Sequence, residues 1–413
     1  MDRRLSRQIV IAGGGIAGLT AALAFAQRGF DVRLFEQAAR FEPFGAGLQL
    51  SPNATRLLGR LGVLQLLRPK AVEPAAVLLR DARTLKVLSR FPLGEFAERR
   101  WGAPYLTAHR ADLHEALLAK ASVEPAIEIS TGARMTGDFT FAVQGATVTY
   151  ERNGRREIAE APLVTLADGV WSTLRERMFP TSQREFSGLL AWRATADGDS
   201  VAGRAFTAMS SVDCVTAFLD PYFHLVAYPV SGGRAFNFVA FTKGKANAEG
   251  RSAEQDSSPL AATTRHCPAL SGLVAQVGEW TAWPLNTVTQ HGPWIRPEGA
   301  AMIGDAAHAM TPFAAQGAAM AIEDAVALAG MVADTTTTQD LPARLRQWEQ
   351  VRKARVAQVA RRGALNKLAW NAAGPLAVGR DLLLRLRSPA SLAADLDWLY
   401  GYDVQSGMSG SIT

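Results

Sequence analysis

The apolar positions of this chain change period along its length. Ile9–Ala12 is a continuous apolar run of strand length. From Ala17 to Arg28 small and apolar residues recur at helical spacing, and Gly29 follows where a helix C-terminus takes a residue of positive φ. Asp31–Phe35 then alternates polar and apolar, which predicts a second strand closed by Glu36. Between about Glu185 and Phe241 the runs "FSGLLAWRATA", "CVTAFLD", "HLVAYPV" and "AFNFVAFT" read as strands. Turn signals at Asp220-Pro221 and Ser231-Gly232-Gly233 separate them, and consecutive strands with short turns predict an antiparallel sheet. Ala300–Ile303 is another short apolar strand. Gln316 and Gly317 open a long helix rich in Ala and Met, and the chain reads as helical from about Leu341. The polar stretch 243–259 reads as a surface loop, and the tail "QSGMSGSIT" as disordered.

Gly13, Gly15 and Gly18 fall in the G-x-G-x-x-G pattern between the first strand and helix. Each glycine has a mechanical reason. The first permits a tight turn, the second lets backbone approach a pyrophosphate, and the third lets the helix pack close to the strand. The helix N-terminus supplies free N–H groups and a favourable dipole for phosphate, and Glu36 can accept ribose hydroxyls. Strand, glycines, helix, strand and terminal acid in register predict a dinucleotide site. The expected fold is α/β. A Rossmann-like nucleotide-binding domain is split between 1–180 and 281–340, an antiparallel-sheet domain is inserted at 181–280, and C-terminal helices with a flexible tail fill 341–413.

Composition narrows the function. The 413 residues are 48% hydrophobic and 20% charged, ordinary for a globular protein of two or three domains. The two cysteines, Cys214 and Cys267, show no metal-ligand spacing, so no metal is expected. The net charge is +6. Its one dense stretch, "RQWEQVRKARVAQVARRG", spaces charges between apolar residues as a solvated helix face does. No nucleic-acid reading motif accompanies it. A positive field favours a small anionic substrate. No apolar run approaches a membrane span, and Ile9–Ala12 is too short for a signal-peptide core. The expectation is a cytoplasmic protein without membrane or nucleic-acid partners, monomeric or homodimeric.

Two further turns carry chemistry. Asp305 follows the Ala300–Ile303 strand, where a short acid can accept a hydrogen bond from a sugar hydroxyl or cap a helix. Asp168-Gly169 ends the strand in "VTLADGVWSTLRERM" ahead of Ser172 and Arg175. Within "HLVAYPV", His224, Val226 and Tyr228 lie at even offsets and share one face of a strand. They form a plausible pocket wall, and histidine is the side chain nearest neutrality for proton transfer. His308 sits beside the Asp305 turn and reads as structural.

Together, "GGGIAG", "FGAGLQLSPNATRLLGRLG", "HRADLHEAL", "ADGVWSTLR", "HLVAYPVSGG", "GDAAHAMTPFAAQGAAMAIEDA" and "LDWLYGYD" resemble the single-component flavin-dependent aromatic hydroxylases. Within that family they are most similar to the salicylate hydroxylase, 3-hydroxybenzoate 6-hydroxylase and 6-hydroxynicotinate 3-monooxygenase branch. The resemblance implies non-covalent FAD, with Gly13, Gly15, Ala17 and Gly18 at the pyrophosphate and Glu36 at the adenosine ribose. It places Arg110 against the flavin and Asp305 near the ribityl chain. Gly317 and Ala318 fall at the helix start facing the pyrimidine ring, and Asp168 at a motif that contacts FAD and reduced nicotinamide. The chain departs from the pattern at Leu166, usually glycine, and at Ala309, often proline.

The implied reaction uses NADH or NADPH and molecular oxygen. Reduced FAD forms a C4a-hydroperoxide, which hydroxylates a small aromatic or heteroaromatic acid. Phenol ionisation then calls for a base, and His224, with Tyr228, is the candidate. Gln49, Pro312 and Phe313 are candidate substrate contacts. A nicotinamide-dependent dehydrogenase using the first nucleotide unit directly, and a flavoprotein without hydroxylase activity, are the competing readings.

Overall fold

The computed structural model describes residues 6–42, 45–142, 145–245, 256–289, 291–335 and 337–405. The loop expected at 243–259 and the C-terminal tail therefore fall largely outside the described residues. Two sheets organise the chain. The first has six strands in the order Ile295–Arg296, Ala300–Met302, Leu163–Leu166, Gln8–Ala12, Asp31–Phe35 and Ile127–Ser130, parallel except for the first pair. Its central strand is the apolar run at the start of the chain. Buried on both faces, it shows no alternation, as a parallel strand covered by helices should not. The helices Ile16–Ala26 and Gly317–Ala333 pack together against this sheet through alanine-rich, almost fully buried surfaces.

The second sheet has seven strands, in the order Thr281–Val288, Arg184–Asp197, Ala235–Lys243, Phe223–Val230, Cys214–Leu219, Ala76–Asp81 and Val87–Pro92. All pairs are antiparallel except Cys214–Leu219 with Ala76–Asp81. Two strands thus come from inside the 1–180 segment and one from the 281–340 segment, so this sheet reaches beyond the bounds 181–280. The pairing joins segments well over a hundred residues apart, and no local periodicity encodes it.

The sheet has two different faces. Trp192, Ala194, Leu225, Ala227, Phe236, Phe238 and Ala240 point to a core covered by the helices Val201–Met209, Ser258–Thr264 and Pro268–Val277. The alternate residues point the other way, towards the nucleotide-binding side. A two-stranded ribbon, Gly47–Leu50 with Leu106–His109, lies against this second face: Gly47 N donates to Asn237 Oδ1 at 2.7 Å.

The charged helix Leu341–Trp370 is not simply a solvated face. Arg352 and Arg355 are buried, and they pair with Glu323 and Asp324 of the Gly317–Ala333 helix. The acids come from a helix that reads as alanine-rich core, so sequence spacing alone did not show the pairing. Among the described residues no helix is long and apolar enough to cross a membrane.

Candidate active site

Three glycine-bearing turns meet at the C-terminal edge of the parallel sheet. Gly13 has φ 102°, and a Cβ there would lie 2.5 Å from the Ala167 carbonyl oxygen. Gly18 faces the Gly13 carbonyl so closely that any Cβ would clash. Gly15 differs: a Cβ there would meet nothing within 4 Å, so its backbone faces an open groove. Glu36 is held at the mouth of that groove, accepting 2.8 Å hydrogen bonds from Gly14 N and Ala38 N.

Gly304, at φ 61°, brings the second turn in. A Cβ there would sit 3.1 Å from both Ala17 and Ala321, so the Asp305 turn is pinned between the N-terminal parts of two helices. Gly317, at the start of the second helix, is exposed, and Ala318 follows it half-buried; a Cβ on Gly317 would meet nothing. Two helix N-termini therefore flank one groove, an arrangement suited to phosphate and to negative charge on a ring.

The third turn is tied to the second by Arg175, which donates to Val170 O at 2.9 Å and Ala306 O at 3.1 Å. Asp168 lies beside Gly13 with Oδ1 buried and unpartnered among the described residues. Burial raises its pKa, against the hydrogen bond from Ser172. Leu166 is buried in its strand between Ala12 and Met302, so the core absorbs the larger side chain. Ala309 is fixed by its carbonyl, which accepts from Val288 N at 2.9 Å.

The open face of the antiparallel sheet stands opposite. Register puts Ala191, Phe241 and His224 in one row, Arg193, Val239 and Val226 in the next, and Thr195, Asn237 and Tyr228 in a third. His224 is 1% exposed, and its Nε2 has no hydrogen-bond partner among the described residues. Its ring stacks on Phe241 at 4.5 Å and lies 5.0 Å from Phe313 and 5.1 Å from Trp370. This dry aromatic cage pushes the imidazole pKa down to about 3, so His224 is a neutral acceptor. Pro312 opens the short turn that carries Phe313, and Asn366 anchors that turn by donating to the Phe313 carbonyl at 2.9 Å.

Tyr228 lies four positions after His224, about 13 Å along a strand, so the two side chains bound opposite ends of a patch. Burial raises the Tyr228 pKa, which keeps its phenol a donor. Gln49 lies at the Tyr228 end, where it accepts from Tyr105 OH at 2.6 Å. Here the structure adds Arg193. It makes no ion pair with any described residue, and its Nε is buried without a partner. Burial lowers its pKa; Tyr228 and Asp305 pull the other way, while Arg110 adds to the fall. That set of neighbours places Arg193 where the sheet face meets the cofactor groove. Arg110 itself is exposed at the first turn of the Arg110–Ser122 helix.

His308 belongs to neither group. Its Nε2 bonds Asp324, which also accepts from Gly304 N and Arg352. Burial alone would raise the Asp324 pKa, but His308 and Arg352 outweigh it and hold the carboxylate charged. The sequence reading missed Arg193, Phe241 and Trp370, and it named Arg175 only as part of a helix start. Arg193 had a signal, a lone arginine inside an apolar strand. Trp370 ends a helix remote in sequence and had none.

The groove fits FAD. Its glycine backbone is open at Gly15 and Gly317, and Asp168 Oδ1 is buried without a partner among the described residues. Residues 6–363 match the FAD binding domain family, and the chain belongs to that family. It is 30% identical over 404 residues to the 3-hydroxybenzoate 6-hydroxylase of Polaromonas naphthalenivorans (strain CJ2), covering 98% of each chain. It is 31% identical to the 6-hydroxynicotinate 3-monooxygenase of Bordetella bronchiseptica (strain ATCC BAA-588 / NCTC 13252 / RB50), covering 96% of this chain and 95% of that one. A salicylate hydroxylase substrate complex shares the fold, with a TM-score of 0.81, 23% identity and coverage of 98% and 97%. The chain is accordingly a flavin-dependent monooxygenase of the aromatic-hydroxylase type.

Proposed function

We propose that this enzyme hydroxylates a small aromatic or heteroaromatic acid carrying a ring hydroxyl, with NAD(P)H and O2 as co-substrates. One observation carries the reading: on a single sheet face, a neutral imidazole with no partner at Nε2 and a half-buried arginine with no partner at Nε, among the described residues, flank an apolar strip. His224 suits a hydroxyl proton, and Arg193 with Tyr228 suits a carboxylate. Val226, Val239 and Phe241 supply the flat contact between them.

FAD, when bound, takes hydride from the nicotinamide and delivers one oxygen atom of O2 to the ring. The chain's own residues do the rest. Gly15 and the helix that starts at Gly317 hold the cofactor. Arg193 and Tyr228 fix the acid end of the substrate. His224 accepts the proton of the ring hydroxyl at Nε2, raising the electron density of the carbon to be attacked. Phe241, Phe313 and Trp370 exclude water there. The test is a screen of hydroxybenzoates and hydroxypyridine carboxylates for stimulated NADH or NADPH oxidation, with product weighed against peroxide. A yellow protein that turns over none of them would sink the reading.

The helix Gly374–Leu386 supports a homodimer. Leu376, Leu382, Leu383 and Leu386 point outward and are exposed, while Arg380 and Asp381 on its inner side pair with each other. The outward face is thus largely apolar, with Arg385 as its exposed charge, which suits a second copy of itself about a two-fold axis. Val378 is exposed on the same helix, and a stable interface needs roughly 800 Å² per partner.

A further inference from the structure

The turn before the His224 strand carries a donor cluster that the flavin chemistry does not use. Asp220 follows the Cys214–Leu219 strand. His266 and Cys267 join the helices Ser258–Thr264 and Pro268–Val277. His266 Nε2 lies 2.8 Å from Asp220 Oδ2, Cys267 Sγ lies 3.8 Å from the same oxygen, and the three donor atoms all fall within 4.8 Å of one another. Asp220 and Cys267 are buried, whereas the His266 side chain is 30% exposed, so the cluster opens to solvent on one side.

We propose that Asp220, His266 and Cys267 bind one divalent cation of the zinc type, with water completing a tetrahedron on the His266 side. Carboxylate, imidazole and thiolate together make the mixed donor set that borderline-soft cations take. Tetrahedral bonds of about 2.0 Å to O and N and about 2.3 Å to S put donor atoms ~3.3–3.6 Å apart. The separations of 2.8 and 3.8 Å lie either side of that range, so the Asp220–His266 pair opens by about 0.5 Å and the Asp220–Cys267 pair closes by about 0.3 Å on binding. The sequence hid the site, because it joins a His-Cys pair to an acid 46 residues away.

Supporting contacts orient the acid. Asp220 Oδ1 accepts from Tyr222 N at 2.9 Å, which leaves Oδ2 to the cluster, and its main-chain carbonyl accepts from Asn371 at 3.2 Å. As the sulfur–metal bond forms, the Cys267 proton passes to solvent. The cation would brace the turn that leads into His224 and, through Asn371, the end of the helix that carries Trp370. Both belong to walls of the aromatic cage, so the site is placed to stiffen it without touching substrate.

The experiment titrates tag-free, reduced holoenzyme with Co(II), read in the d–d bands beyond the flavin absorption, and measures Zn(II) stoichiometry by equilibrium dialysis. One equivalent of tetrahedral Co(II), displaced by Zn(II), is expected. Cys267→Ser and His266→Gln should each weaken binding by at least about tenfold, the usual scale for disturbing a metal site. Cys214→Ser, at a buried cysteine elsewhere, should bind as the parent does. Flavin content reports folding in every variant. Absence of stoichiometric binding by the parent protein overturns the proposal, as does undiminished binding in the Cys267→Ser/His266→Gln double variant.

Discussion

His224 stacks on Phe241 with ring centroids 4.5 Å apart and planes 21° from parallel. The stack holds the imidazole against the sheet, with Nε2 buried and without a hydrogen-bond partner among the described residues. His224→Ala should leave FAD bound, because the rings packed on the residue, Phe241, Phe313 and Trp370, lie outside the glycine-bearing turns. Hydroxylation should fall by roughly 10²–10⁴-fold, the usual contribution of a general base. Reduced nicotinamide should then be consumed to hydrogen peroxide instead of product. The defect should shrink as pH rises towards the phenol's own pKa. Wild-type hydroxylation near neutral pH in this variant would place the base elsewhere.

The same cage makes a stability prediction. Burial holds His224 at about 3 in the folded chain, against 6.5 for the free side chain. Between those values the unfolded chain binds a proton that the folded chain does not. Stability thus declines as pH falls from about 6.5 towards 3, by up to roughly 1.4 kcal/mol per pH unit from this residue, and is level in its respect above 6.5. His224→Phe should flatten that part of the profile. Urea midpoints measured across the window decide it: an unchanged slope means the folded protein tolerates a charged His224.

Two glycines of one motif should fail differently. Gly15 faces open space, so Gly15→Val should fold and lose FAD. Gly18 abuts the Gly13 carbonyl, so Gly18→Ala should lower the melting temperature of the apoprotein itself. Flavin content and apoprotein melting, measured on both variants, separate the two effects. A Gly15→Val protein with full flavin would remove Gly15 from the cofactor groove.

The contrast shows what the sequence could carry. Local signals survived: the glycine spacing, the strand alternation that put His224 and Tyr228 on one face, and Gln316-Gly317 at a helix start. Each depends on backbone geometry within a few residues. What stayed hidden depends on chain segments meeting. The parallel pairing of Ala76–Asp81 with Cys214–Leu219 has no periodicity of its own. Arg352 reads as a surface arginine until Glu323 and Asp324 arrive from another helix. Trp370 becomes part of the His224 cage only because a thirty-residue helix ends there.

The Leu376–Leu386 face should control assembly. Leu382→Glu/Leu386→Glu places two carboxylates on the outward side of a helix whose inner contacts are untouched. Light scattering should read a dimer for the parent protein and a monomer for the variant, with flavin content unchanged. A parent protein that is monomeric at micromolar concentration would leave this face to another partner.

Arg193 gives the sharpest test of substrate class. Its side chain is half-buried in the field of Tyr228, its Nε is buried without a partner, and no described acid makes an ion pair with it. A cation held this way is stabilised by an incoming anion, so Arg193→Met should weaken binding of a carboxylate substrate. Hydrogen bonds to a charged group are worth about 1.5–3 kcal/mol, which is roughly a 10- to 150-fold rise in KM. The analogue lacking the carboxylate should bind equally to parent and variant, because it never met the arginine. Arg193→Lys keeps the charge but loses the two-pronged geometry, so it should restore only part of the affinity. Flavin content must stay constant throughout, since Arg110 and Asp305 lie in the same field. If Arg193→Met raises KM equally for the acid and for its decarboxylated analogue, the residue does not read the carboxylate. If it instead releases FAD while sparing KM in the remaining holoenzyme, Arg193 belongs to the cofactor groove, and the acid end of the substrate is held by Tyr228 without it.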